Sequence, residues 1–117
     1  MNMLWVSYGR VSQEGVKGML ANPSNRAEAV EKLIGAFGGE LVSYHMLMNG
    51  NIDFFIVFDI PEDKIADTAI INAMLVRGSG AIESISTVPA VRAEDAMAHM
   101  QKAQQMASAM AYQAPTK

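Results

Sequence analysis

Asp53 and His45 are the side chains of this sequence best suited to acid–base chemistry. Asp53 stands near the start of an apolar stretch, Ile52 to Ile60, just after an Asn49-Gly50 pair. A carboxylate placed there could act as a general base or orient a ligand if its surroundings raised its pKa. The commoner use of an aspartate beside a turn is to accept backbone N–H bonds. His45 lies mid-strand next to Tyr44. Neutral imidazole there could serve as acid, base or metal ligand, although a single strand histidine is more often a hydrogen-bonded structural residue. Register decides whether the two can meet. With a two-residue Asn49-Gly50 turn, His45 pairs with Phe54 and faces away from Asp53. With a three-residue loop that includes Asn51, His45 pairs with Phe55 and joins the Asp53 face, because a one-residue slip reverses facing.

Trp5, Tyr8, Arg10, Tyr44 and Phe55 are the residues that could bind a ligand. Aromatic and guanidinium groups at a strand end suit an aromatic acid, and suit core packing and a surface ion pair equally well. Alternation sets Trp5 on the opposite face from Tyr8 and Arg10. Met97, Met100, Met106 and Met110 accompany His99 near the C-terminus. Thioether and imidazole could bind Cu(I) or haem iron, but Met and Ala at helical spacing read first as an adaptable packing seam. No residue is therefore assigned to a metal, and no cofactor is expected. Gly78-Ser79-Gly80 follows a helix, whereas a phosphate cradle needs glycines ahead of a helix N-terminus.

The elements that must position these groups can be read along the chain. Met3 to Val11 reads as a strand. Val16, Met19 and Leu20 have helical spacing, interrupted at Asn22-Pro23-Ser24-Asn25. Asn25 and Glu28 have capping-box spacing at the start of a stronger helix, whose stripe is Ala27, Val30, Leu33, Ile34 and Phe37. Gly38-Gly39 ends it. Leu41 to Met48 and Ile52 to Ile60 form a hairpin about Asn49-Gly50. Pro61-Glu62-Asp63 opens another helix, with Ile65, Ala66, Ala69, Ile70, Ala73 and Met74 as its buried stripe, closed by Gly78 and Gly80. Ala81 to Val88 is a fourth strand, and Ala93 to Ala111 a last helix before the tail Tyr112 to Lys117. The order is the split βαβ pattern of an α+β, ferredoxin-like fold, βαββαβ, with an extra C-terminal helix. One domain is expected, with residues 1–92 as its body and 93–117 as helix and tail.

Composition sets outer bounds. The chain has 117 residues, half of them hydrophobic, and no cysteine. Disulfides, thiolate metal sites and cysteine nucleophiles are thereby excluded. The formal charge is −3, with nine Lys and Arg. These form no basic run, which argues against a nucleic-acid partner. Neither a signal segment nor a membrane span is visible, so a cytoplasmic location is expected.

The strand Ile52 to Ile60 is apolar on both faces: Ile52, Phe54, Ile56 and Phe58 on one side, Phe55 and Val57 on the other. A sheet with one wet face should alternate. Two helices cover only one face, and bare Phe and Val side chains each forfeit roughly 1.5–3 kcal/mol. A second copy packed face to face is the expected remedy, giving a homodimer or higher homo-oligomer. The alternative is that the C-terminal helix crosses the open face of its own sheet.

Ser12-Gln13-Glu14-Gly15-Val16-Lys17, Arg26-Ala27-Glu28-Ala29, Phe37-Gly38-Gly39-Glu40-Leu41, Gly50-Asn51-Ile52-Asp53-Phe54 and Ile60-Pro61-Glu62-Asp63 occur in that order. Over residues 3–95 this resembles the small bacterial GYD-domain proteins. Gly50 and Asp53 match the motif that gives the family its name, with Ile52 at the aromatic position. The resemblance implies a dimeric α/β-barrel fold, whose wider relatives include cofactor-free monooxygenases, isomerases and haem enzymes. Fold does not fix chemistry. The leading expectation is a homo-oligomer that binds a small apolar or aromatic ligand between sheet and helices. The alternatives are a cofactor-free monooxygenase or isomerase using Asp53 or His45, and an assembly protein using the C-terminal helix.

Overall fold

A computed structural model describes residues 1–47 and 50–109. Met48, Asn49 of the turn, Met110 and the tail from 111 to 117 lie outside the described residues. The elements run β1 (Asn2–Val11), α1 (Gln13–Ala21), α2 (Arg26–Ala36), β2 (Glu40–Met46), β3 (Phe54–Pro61), a 3-10 turn (Glu62–Lys64), α3 (Ile65–Gly78), β4 (Ile82–Pro89) and α4 (Ala93–Ala109). The four strands form one antiparallel sheet in the order β2-β3-β1-β4. This is the α+β, ferredoxin-like βαββαβ arrangement with an added C-terminal helix.

Local chemistry explains the boundaries. Ser12 caps α1, its hydroxyl accepting from the Gly15 N–H at 3.0 Å. The Asn25 side chain caps α2 by accepting from Ala27 N–H at 3.0 Å. Both satisfy amides that a helix N-terminus leaves unpaired. Gly38 turns the chain out of α2 at φ +81°, where a side chain would be strained. Gly9 sits between β3 and β4, and a Cβ there would run into the Ser84 backbone.

The core lies on one face of the sheet. Phe54, Ile56, Phe58 and Ile60 of β3 and Ile34 of α2 are buried together. Period-two alternation puts the four β3 residues on that inner face and Phe55 and Val57 on the outer one. β1 and β3 are the central strands, and β2 and β4 the edges.

Two helices depart from the sequence expectation. α3 is rotated relative to its expected stripe: Ile65, Thr68, Asn72 and Val76 turn inward, while Ile70 is 64% and Met74 71% exposed. The 3-10 turn Glu62–Lys64 precedes α3 and uses i,i+3 bonds, so the phase of the helix differs from a continuous α-helix begun at Pro61. α4 packs on neither face of the sheet. Apart from Ala96 its residues are exposed. The radius of gyration is 17.7 Å, against about 13 Å for a compact domain of this length. No helix among the described residues is long and apolar enough to cross a membrane.

Candidate functional site

Between the inner face of the sheet and α1, α2 and α3 lies a cavity of 690 Å³. A second chamber of 250 Å³ lies under β1 and α3. Phe58, Ile60, Thr68, Asn72, Val76 and Ile85 line both. The main chamber is floored by Phe54 and Ile56 and walled by Val30, Leu33 and Ile82. Its size and predominantly apolar lining are those of a small-molecule site.

Two buried polar atoms belong to residues of these walls. The Thr68 hydroxyl and the Trp5 indole Nε1 are buried without a hydrogen-bond partner among the described residues. Thr68 is only 8% exposed, and both residues line the second chamber. Buried polar groups are ordinarily paired, because desolvation without a bond costs about 1–3 kcal/mol in proteins. Neighbouring Ser7 shows the ordinary case, since its hydroxyl bonds Thr87 Oγ1 at 2.7 Å.

Tyr44 faces the main chamber from β2, and Arg26 lies at its wall. Burial raises the Tyr44 phenol above its ordinary value of 10.0, and the Arg26 guanidinium offsets part of that rise. The unfolded chain then releases this proton first on alkalinisation. The contribution of Tyr44 is complete below pH 10 and is lost as pH rises from 10 through the higher folded value. Tyr44→Phe is therefore expected to flatten the alkaline limb of a stability–pH curve, measured by urea unfolding, and to leave the neutral region unchanged in shape.

The sequence-derived residues separate onto two faces. Tyr44 lines the main chamber and Trp5 the second. Tyr8 is paired with Phe55, on the opposite, open face. Arg10 is held at its end of the sheet by Glu83, 3.2 Å away, and by the Asn51 carbonyl. His45 pairs with Phe55, so the hairpin takes the register of the three-residue loop and His45 joins Tyr8 and Phe55. No hydrogen bond joins His45 to Asp53 among the described residues. Asp53 instead closes the hairpin end onto β1. Its carboxylate accepts the Val11 N–H at 3.0 Å, and its own N–H donates to the Gly9 carbonyl at 2.6 Å. Asp53→Ala should cost about 1–2 kcal/mol in a urea melt, the value of a hydrogen bond to a charged acceptor reduced for partial exposure.

Thr68, Asn72 and Val76 were not expected at a site. Thr68, beside Asp67 and among Ile65, Ala66, Ala69 and Ile70, was the available signal, a hydroxyl inside a mostly apolar run. Among the described residues, no group of three or more His, Asp or Glu is placed to hold a metal ion.

A family model described as GYD domain matches residues 5–100. No curated protein matches the chain.

Proposed function

The chain belongs to the GYD family, and from that premise and the cavity we propose that it binds a small apolar or aromatic molecule carrying a hydrogen-bond acceptor. The observation that carries this reading is that Thr68 Oγ1 and Trp5 Nε1, buried without a hydrogen-bond partner among the described residues, belong to mainly apolar walls whose other polar members are Asn72, Arg77 and Thr87. Indole N–H can only donate, and a hydroxyl can donate. The carbonyl oxygen of an aromatic ketone or a quinone that reached either group would satisfy it while the rings fill the mainly apolar chamber. Asp53 and His45 lie outside the cavity lining, so the cavity supports binding more directly than turnover. A melting-temperature screen of naphthoquinones, aromatic ketones and aromatic acids tests the reading. Saturable stabilisation by the carbonyl compounds is expected, and a flat response across the panel would reject it.

In the same reading a second copy covers the open face. Leu4, Val6, Tyr8, Phe55 and Val57 make an apolar centre on β1 and β3. Ser43, His45, Ser84 and Ser86 on the edge strands give it a mostly polar rim, with Val88 extending the apolar centre beside Val6. An apolar centre with a polar rim is the anatomy of a protein interface, and α4 does not shield this surface. Val57→Lys is expected to lower the solution mass measured by light scattering. A monomeric wild-type chain would contradict self-association through this face.

A further inference from the structure

The outer face of α3 carries a stripe with internal symmetry. Asp67, Ile70, Ile71, Met74 and Arg77 recur at three- and four-residue spacing, which places them on one side of the helix. All five are exposed, Ile71 by 44% and Met74 by 71%. Neither Asp67 nor Arg77 has an ion-pair partner among the described residues. Positions 70 and 74 are equidistant from Asn72, and so are 67 and 77. The stripe is thus acid, apolar, base, and its centre is Asn72.

We infer that α3 is a self-association surface that pairs antiparallel with α3 of a second copy across a two-fold axis level with Asn72. In that pairing Ile70 of each copy meets Met74 of the other. Each end of the pair brings Asp67 of one copy beside Arg77 of the other. An isologous contact requires such a self-complementary patch. The charged ends fix direction and register, because a parallel pairing sets like charges together. Antiparallel packing also aligns opposite ends of the two helix dipoles.

The charge pattern selects a second copy over α4 of the same chain. β3 ends at Pro61 beside Asn2, and β4 ends at Pro89 beside Trp5. α3 and α4 therefore both start from the same end of the sheet. Folding α4 back over α3 would run the two helices parallel, with Glu94 and Asp95 alongside Asp63 and Asp67. This surface is separate from the open face of the sheet. Occupation of both would build assemblies larger than a dimer.

Charge reversal tests it on the full chain, by sedimentation velocity at low ionic strength. Asp67→Arg and Arg77→Asp each place like charges at both ends of the pair, and each should lower the mass at least twofold. The double variant D67R/R77D exchanges the charges and should restore the wild-type mass. Met74→Asp should lower it without restoration by either reversal. Helical circular dichroism identifies any variant that fails to fold. A mass indifferent to both single reversals would overturn the inference, as α4 covering its own α3 would produce. A folded double variant that stays small would overturn it equally. Failure of the sheet-face contact would leave this pattern of loss and rescue intact.

Discussion

Phe58→Ala is expected to lower stability by about 3–5 kcal/mol, the range for truncating a buried aromatic. Phe58 is 6% exposed and lies at the centre of the sheet, paired with Trp5 on β1 and Leu41 on β2. It also lines both chambers, so its removal enlarges a void already present. The neighbours are held by two sheet partners and have little freedom to collapse into the space. Domains of this size are stable by only about 5–15 kcal/mol in total. The variant should therefore unfold at a much lower urea concentration, with an unchanged slope. An apolar ligand that fills the chamber should recover part of the loss, because binding only the folded state stabilises it. A drop of under about 1 kcal/mol would mean that the core is not organised around this ring.

Thr68→Val should have two effects of opposite sign. Valine closely matches threonine in shape and removes the buried hydroxyl that has no partner among the described residues. The ligand-free protein should gain about 1–2 kcal/mol, since the desolvation cost of that group disappears. Affinity for a carbonyl ligand should fall roughly 10- to 100-fold, the equivalent of losing a hydrogen bond in a dry site. A residue kept for packing alone would give the gain without the loss. Loss of affinity together with loss of stability would indicate that Thr68 supports the helix and does not meet the ligand. Thermal denaturation and calorimetric titration of the one variant separate these outcomes.

Much of the fold was legible because its signals are local. The β3 residues Phe54, Ile56, Phe58 and Ile60 alternate with Phe55 and Val57, and the structure buries the first set as the period requires. Asn25 and Gly38 bound α2 through hydrogen bonding and positive φ, as their types suggested. The GYD resemblance rested on ordered motifs, and the matching family model covers residues 5–100.

The rotation of α3 was not legible, because its apolar residues occupy almost every helical position. Ile65, Ala69, Ile70, Ala73, Met74 and Val76 leave no single phase preferred by pattern alone. Thr68 breaks that ambiguity, yet a lone hydroxyl carries no sign of which way it points. The hairpin register was open for a related reason: both loop lengths keep strand alternation, and pairing of His45 with Phe55 decides it. The candidate ligand residues were grouped by type, while strand alternation divides them. Trp5 and Tyr44 go to the cavity side, and Tyr8, Phe55 and His45 to the open face.

The most direct test is an amide chemical-shift map of the labelled protein during titration with a naphthoquinone. Saturable shifts should cluster on α2, on Thr68 to Val76 of α3 and around Trp5. Shifts confined to Tyr8, His45 and Phe55, or drifting without saturation, would contradict a ligand site between the sheet and its helices.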